Sequence, residues 1–253
     1  MINESNHYTE VICRRHGLEN YTINSGPNQF STKIVDVDGD VDLNDHELTE
    51  FPLKFGTVTG DFNCSNNKLT TLKGAPNRVG GAFVCYYNEL TSLEHCPTEV
   101  GGSIRFDHNK LTSLEHCPKE IIGSFSIDDN ELTSLEHCPI RIEGRFDCSS
   151  NKLTTLEYCP EYVRGAFHIG WNDDVKDLNG FNTEFGDRFH TYGCPIGELI
   201  TDFYYDELKI FKTYKVLKDG VVNLKRYKYV MGILERKIDE GDIEGIEKQY
   251  KIV

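Results

Sequence analysis

The sequence predicts a solenoid built from 21-residue coils, and two observations support this fold class. Glycines recur at a constant spacing, at Gly39, Gly60, Gly81, Gly102, Gly123, Gly144 and Gly165. After each of them, two apolar residues alternate with polar ones, as Phe83 and Cys85 do, which is typical of a half-buried strand. Because consecutive units have the same length, we expect their strands to stack in parallel and to form a single β-sheet.

The other positions of each coil repeat as well. An asparagine follows the strand at Asn67, Asn88, Asn109, Asn130 and Asn151. Leucines stand at fixed distances behind it, at Leu69, Leu72, Leu90, Leu93, Leu111, Leu114, Leu132, Leu135, Leu153 and Leu156. A proline then recurs at Pro76, Pro97, Pro118, Pro139 and Pro160. We expect the asparagines to form a ladder that binds backbone groups. The prolines exclude a regular helix, so the returning side should be mostly extended.

This L-x-L-x-x-N-x-L arrangement resembles leucine-rich repeats, in particular the short bacterial class with the pattern N-x-L-T-x-L-P-x-L-P. It is more similar still to the 21-residue repeats of large tailed phages, which carry G-x-F-x-C-x-x-N-x-L-T-S-L-x-x-x-P-x-x-V-G units. The likeness covers Gly39 to about Asn179. It implies a leucine-rich-repeat solenoid with its parallel sheet on the concave face and a mostly extended convex side. It also implies a viral origin, but it says little about activity.

The pattern divides the chain into three segments. Residues 1–38 are predicted to be an N-terminal cap, residues 39–179 a solenoid of about seven coils, and residues 180–253 a small helical C-terminal cap. In the last segment, apolar residues at helical spacing predict two or three amphipathic helices, with a break near Gly220 and an end near Gly241.

The N-terminal segment combines a helix and a strand. A helix is predicted from Ser5 to Gly17, with Ser5 or Asn6 as its N-cap, and with Val11 and Ile12 facing inward. The alternating residues 33–38 predict a strand that pairs with the first coil and covers an open sheet edge.

Charge and composition limit the classes of partner. The net charge of −14 arises within residues 1–194, which hold 16 Lys and Arg against 30 Asp and Glu. An acidic surface keeps a long solenoid soluble, repels nucleic acid and anionic membranes, and attracts basic partners. The chain has neither an apolar run of roughly 18 residues nor a signal-peptide pattern at its start. We expect a monomeric cytoplasmic protein, in the host cytoplasm if it is viral, that binds neither nucleic acid nor membrane directly.

The cysteines raise the question of a metal site or a catalytic thiol. His-Cys-Pro recurs at Cys96, Cys117 and Cys138, which could suggest zinc ligands. These cysteines stand where bacterial repeats place an inward leucine, so we interpret them as core residues. The nucleophile motif C-x-D of repeat-bearing ubiquitin ligases is absent after Cys194, and no P-loop or hydrolase motif occurs. We therefore expect no enzyme activity, no metal and no cofactor, and only Cys13 and Cys194 merit a test of thiol reactivity.

The candidate binding surface follows from comparing the coils with one another. Positions beside the inward strand residues vary between coils, whereas the core positions repeat. Exposed aromatic residues and arginine dominate protein interfaces. The predicted protein-binding residues are Val84, Tyr86, Tyr87, Arg105, Asp107, His108, Asp128, Asp129, Arg145, Asp147, His168 and Trp171. A packing role at the junction with the C-terminal segment is an alternative for Trp171.

The sequence thus predicts a protein–protein interaction module, which captures or inhibits a host protein on the concave face of its repeats. Two alternatives stay open. The first is an acidic decoy that mimics nucleic acid and occupies a basic DNA- or RNA-binding enzyme. The second is a structural component of a virion.

Overall fold

The computed structural model describes residues 4–24, 33–200, 202–218 and 220–253. These residues form a β-solenoid of about seven turns, with helices at the two ends of the chain. The predicted solenoid with 21-residue spacing is therefore confirmed. Its core is one continuous apolar cluster that runs from the N-terminal helix to the C-terminal helices.

The N-terminal helix α1 (Glu4–Arg15) ends before Gly17, whose φ of 65° suits glycine. Ser5 and Asn6 lie inside α1, so the prediction that one of them caps it is wrong. Val11 is exposed, also against the prediction, and the buried face consists of Thr9 and Cys13. Residues four apart share one face of a helix, which explains why these two point inward together.

Strand β1 (Tyr21–Asn24) runs antiparallel to β2 (Ile34–Val37), which lies within the predicted strand 33–38. The predicted pairing with the first coil is confirmed, because β2 runs parallel to the segment Lys54–Val58.

Each coil contributes two short strands rather than one. In chain order they are β3 (Val41–Asp42), β4 (Lys54–Val58), β5 (Phe62–Asn63), β6 (Arg78–Val79), β7 (Phe83–Val84), β8 (Glu99–Val100), β9 (Ile104–Arg105), β10 (Glu120–Ile121), β11 (Phe125–Ser126), β12 (Arg141–Ile142), β13 (Phe146–Asp147), β14 (Tyr162–Val163), β15 (Phe167–His168), β16 (Glu184–Phe185) and β17 (Arg188–His190). The odd-numbered strands from β3 to β17 pair in parallel, and β18 (Phe203–Tyr204) adds a ninth, antiparallel strand. We call this array the nine-stranded sheet.

The even-numbered strands form a second row, which is interrupted between β8 and β10. The prediction of a single sheet is therefore wrong. Backbone pairing explains the second row: Gly80 N–H donates to Val58 O at 2.8 Å, and Gly101 N–H repeats this bond to Val79 O at 2.9 Å. The side opposite the nine-stranded sheet is extended as predicted, and the coil residues 33–190 contain no helix.

The asparagine ladder fixes the spacing of the coils. Asn109 Nδ2 donates to Cys85 O at 3.0 Å and to Phe106 O at 3.1 Å, while its Oδ1 accepts from Leu90 N–H at 3.0 Å. Each asparagine thus binds its own coil and the preceding one, as predicted. Asn172, which stands 21 residues after Asn151 but was not among the predicted ladder residues, makes equivalent bonds and extends the ladder.

The described residues of the C-terminal segment form four helices and a small sheet. Its elements after the coils are α2 (Gly197–Ile200), β18, α3 (Tyr205–Thr213), β19 (Leu217–Lys218), β20 (Val221–Val222), α4 (Leu224–Ile233), α5 (Glu240–Gln249) and β21 (Lys251–Ile252). Gly241 lies inside α5 and does not end a helix, because Asp239 and Asp242 form a capping box that starts α5 just before it.

The helices pack directly on the last coils. Lys212 Nζ donates to Phe181 O at 2.6 Å, and Tyr250 Oη donates to Lys176 O at 2.8 Å. Strands β16 and β17 pair with β14 and β15, so the sheet pairing crosses the predicted boundary at residue 179.

Candidate functional site

The predicted binding residues lie along the exposed side of the nine-stranded sheet. One row runs through strand partners: Val84 pairs with Arg105, Arg105 with Ser126, Ser126 with Asp147, and Asp147 with His168. Val84 is half-buried in this row, and Arg105 is exposed. The row places the predicted residues of consecutive coils next to one another.

A second feature is the left-handed backbone three residues after the end of each of these strands. The φ angles there lie between 50° and 57°, at Asp45, Asn66, Tyr87, His108, Asp129, Ser150 and Trp171. Asn, Asp and His tolerate this conformation, but it is unusual for bulky side chains. Tyr87 and Trp171, which are 51% and 56% exposed, are therefore held at a local backbone cost without being buried.

The central cluster joins two tyrosine rings to a guanidinium and an imidazole. The Arg105 guanidinium lies over the Tyr86 ring at 4.3 Å, and the Tyr87 ring lies 4.1 Å from the His108 ring. Tyr86 and Tyr87 meet edge to face at 5.6 Å. The half-buried Tyr86 ring, the exposed Tyr87 ring and the guanidinium thus form one contiguous patch, which we call the aromatic patch.

A buried carboxylate holds this patch in place. Asp107 is 2% exposed and accepts hydrogen bonds from Arg105 Nε at 3.0 Å and Nη2 at 2.8 Å. This two-point contact fixes the plane of the guanidinium. The side-chain hydrogen bond to Asp107 raises the pKa of Arg105 above its ordinary value, so the guanidinium stays charged.

Carboxylates continue beyond the patch in the next two coils. Asp128 accepts a hydrogen bond from Ser126 Oγ at 2.5 Å, and Arg145 approaches Asp147 at 3.7 Å. Burial raises the pKa of Asp128, and the charges of Asp147 and Asp107 raise it further against the lowering by Ser126. Asp129 lies on the outer side, 3.4 Å from His108 Nε2.

Residues of the aromatic patch and of the neighbouring carboxylate group line a cleft of about 460 Å³. Its walls include Tyr87, Arg105, Asp107, His108 and Asp128. The residues that the sequence interpretation missed are Ser103, Ser124 and Ser126, which also line the cleft. Serines are common at exposed positions, so they do not mark a binding site in a sequence. Their small side chains leave the space that forms the cleft.

His168 and Trp171 belong to a separate group near the C-terminal segment. The His168 ring stacks on the His190 ring at 4.2 Å, and His190 Nδ1 contacts the Asp202 carboxylate. Burial lowers the pKa of His168, and the neighbouring His190 lowers it further, whereas Asp147 opposes this shift.

Trp171 packs against the chain that leads into the helices. Its ring meets Tyr192 edge to face at 5.3 Å, and a Cβ on Gly193 would lie 2.7 Å from the indole Cδ1. The alternative of a packing role at the junction thus has structural support. His190 and Tyr192 were missed because the last coil is one residue longer: Phe189 pairs with Phe167 at a spacing of 22 instead of 21.

The cysteines lie in the core, as predicted. Cys96, Cys117 and Cys138 are buried, and burial raises the pKa of each thiol above its ordinary value. The neighbouring histidines, His95, His116 and His137, are exposed and have left-handed φ angles of 69° to 71°. Cys13 and Cys194 are buried as well, and burial raises the pKa of both to about 11, so neither has the character of a reactive thiolate.

Fold and site together define a β-solenoid protein whose exposed sheet carries an aromatic and ionic surface. Comparison of the chain with protein-family models, with curated proteins and with solved structures finds no match. Among the described residues, no helix has the length and apolar character needed to cross a membrane.

Proposed function

We propose that this chain is a non-enzymatic protein–protein interaction module of the leucine-rich-repeat type. In this proposal the exposed side of the nine-stranded sheet is the concave binding face, and residues 180–253 are a helical C-terminal cap. The repeat pattern further supports a phage protein that captures or inhibits a host protein in the host cytoplasm.

The observation that carries the proposal is the aromatic patch. Tyrosine and arginine are the residue types that contribute most to protein interfaces. Here Tyr86, Tyr87 and Arg105 form one patch, with the guanidinium 4.3 Å from the Tyr86 ring. The position equivalent to Tyr86 carries Ser65 in the preceding coil and Ser149 three coils later. The patch is therefore a local addition to a scaffold that does not need it.

The patch is also fixed before any partner binds. Asp107 holds the Arg105 guanidinium at two atoms, and the backbone of Tyr87 is set by its turn. Side chains that are already ordered lose less conformational entropy on binding, so more of the contact energy appears as affinity.

The test is a double variant, Tyr86→Ser/Tyr87→Asn, which takes each new residue from another coil of the same chain. Ser65 and Ser149 occupy the Tyr86 position, and Asn66 occupies the Tyr87 position with a φ of 52°. The core, the left-handed turn and the net charge stay unchanged. Arg105 is kept because its removal would leave the buried Asp107 carboxylate unpaired.

Wild type and variant are immobilised, and proteins from bacterial lysate are captured at low and at high salt. We expect a partner that wild type retains at high salt and that the variant loses. A matched control is Tyr158→His, which removes an exposed tyrosine outside the site and inserts the residue that three other coils carry there. This control should retain the partner.

The acidic-decoy alternative gives a different result. A decoy binds through its net charge, which the double variant does not alter, so capture by both proteins should fall steeply with salt. Equal capture by wild type and variant at high salt would reject the aromatic patch as the contact. A captured virion protein in infected cells would favour the structural role.

A further inference from the structure

Three side chains in the cleft are placed to share one cation. Asp107, His108 and Asp128 each offer one ligand atom, and these atoms all lie within 4.8 Å of one another. Asp107 is buried, and the other two side chains are partly buried. Asp107 and Asp128 hold equivalent positions in neighbouring coils, so paired strands β9 and β11 set the distance between them.

His108 supplies an independent observation. Its Nδ1 atom is buried and has no hydrogen-bond partner among the described residues. The nearest carboxylate oxygen, Asp107 Oδ2, lies 3.8 Å away, which is too long for a hydrogen bond. Buried side-chain nitrogens rarely lack a partner in native proteins, and a bound ion is one explanation when they do.

The charges around Asp128 favour a cation as well. Asp107, Asp128 and Asp147 follow one another in three coils; Arg105 and Arg145 form ion pairs with the outer two, and Arg105 interacts with Asp128 only through its charge. Among the residues that the structure describes, no lysine or arginine forms an ion pair with Asp128. A positive ion beside Asp128 would offset the repulsion from both neighbours.

We propose that Asp107, His108 and Asp128 bind one divalent transition-metal ion, with Zn²⁺ as the representative. An imidazole combined with two carboxylates suits Zn²⁺ better than Mg²⁺ or Ca²⁺, which prefer ligand sets made of oxygen alone. The ligand atoms are Asp107 Oδ2, His108 Nδ1 and one oxygen of Asp128. The cleft leaves the remaining coordination positions to water or to a ligand that enters it.

Arg105 is compatible with this role for Asp107. A carboxylate has about four lone-pair sites, and Arg105 occupies one on each oxygen, at 3.0 and 2.8 Å. Hydrogen bonds from outside the coordination sphere commonly orient a ligating carboxylate. Arg105 therefore fixes the position of Asp107 and still leaves Oδ2 able to bind the ion.

The exposed histidines provide a matched control. His95, His116 and His137 recur at equivalent positions and could bind Zn²⁺ weakly at the surface. The variant His116→Gln removes the central member of this group and leaves the cleft untouched. His108→Gln and Asp128→Asn each remove one proposed ligand with little change in shape.

The experiment is calorimetric titration of the reduced full-length protein with zinc chloride alone, and with magnesium chloride for comparison. We expect one Zn²⁺ per chain and no comparable binding of Mg²⁺. Zn²⁺ affinity should fall ~10-fold or more in His108→Gln and in Asp128→Asn, and should stay unchanged in His116→Gln. Circular dichroism melting without metal shows whether each variant is folded.

Absence of Zn²⁺ binding by wild type would overturn the proposal. So would affinity that survives both cleft substitutions in folded variants, or affinity that His116→Gln removes, since the ion would then be bound by surface histidines only. The proposal does not rest on a protein partner, because the titration contains none. Failure of the capture experiment would not contradict the metal site, and failure of the zinc titration would not contradict the protein-binding role.

Discussion

The left-handed residue after each odd-numbered coil strand decides which side chains the exposed surface presents. At this position Asn66, Asp129 and Ser150 are short polar residues, which adopt a positive φ at a small energetic cost. Tyr87 and Trp171 adopt the same backbone with large rings. A bulky residue that is exposed and adopts a costly conformation does not serve the core, so Tyr87 marks where the surface departs from what the scaffold requires, whereas Trp171 contacts Tyr192 and Gly193 at the junction.

Stability should depend on pH through His168. Its folded-state pKa is lowered, first by burial and then by His190, while Arg145 also lowers it and Asp147 and Asp202 oppose the shift. The unfolded chain therefore binds more protons as the pH falls below about 6.5, and the folded state loses stability down to the lowered pKa. We expect His168→Gln to flatten this loss.

The measurement is the free energy of unfolding in urea for both proteins between pH about 7.5 and about 5. Taking the difference between the two proteins removes the contribution of the histidines that do not contact His168, and leaves that of His168 together with the stacked His190. Parallel curves for wild type and His168→Gln would show that His168 does not titrate differently in the two states.

Along the second row of strands, the backbones of successive coils approach each other closely. A Cβ on Gly101 would lie 2.1 Å from Gly80 O, and one on Gly80 would lie 2.0 Å from Thr59 O. Because glycine has no Cβ, these residues allow each coil to pack closely on the preceding coil. The contact is between backbones, so it leaves no pattern of apolar side chains in the sequence.

Gly101→Ala should destabilise the protein by about 1–3 kcal/mol, because neither backbone can move without disturbing the stacked coils. Gly232 in α4 is the matched control, since nothing lies within 4 Å of its added Cβ. Gly232→Ala should stabilise the helix by about 0.5–1 kcal/mol. Urea unfolding measures both, and similar effects of the two substitutions would contradict the close-contact argument.

Leu111→Ala tests the leucine columns in the middle of the solenoid. Leu111 has no exposed surface, and its N–H donates to Asn130 Oδ1 at 2.9 Å. Removing the buried side chain should cost ~2–5 kcal/mol, the range for large-to-small changes in a core. Chemical denaturation checks this value, and a loss well under about 1 kcal/mol would mean that the coil closes around the gap.

The sequence predicted the elements whose side chains recur from coil to coil. Asn109 and Leu111 recur with their counterparts in five consecutive coils, so comparison within the chain identifies the ladder and the core. The second strand row depends on backbone bonds such as that of Gly80, and bonds between backbone groups leave no repeating pattern of side chains in the sequence. The contacts of Arg105 with Tyr86 and Asp107 depend on rotamers, which spacing does not determine.

At the scale of the whole molecule, the outermost strands limit association. Strand β1 adds antiparallel to β2 at one end of the second row, and β18 adds antiparallel to β17 at one end of the nine-stranded sheet. Both additions break the parallel repeat, so a further coil from another copy cannot extend both strand rows at either end in register.

We therefore expect a monomer of 28.9 kDa by light scattering coupled to size exclusion. The net charge of −14 adds repulsion between copies, which salt screens. The mass should stay that of a monomer at low and at high salt. A dimer at both salt concentrations would show that an exposed face pairs with itself.

The constant 21-residue register also has a genetic consequence. Strand partners such as Phe62, Phe83 and Ile104 occupy the same place in consecutive coils. Unequal recombination between two repeats of the coding sequence would therefore join ends of identical geometry, in frame and without a damaged core. Each such event would add or remove one row of surface residues while the ladder and both ends of the chain stay intact. A lineage carrying this gene could thus change the length and the content of its exposed sheet in a single step.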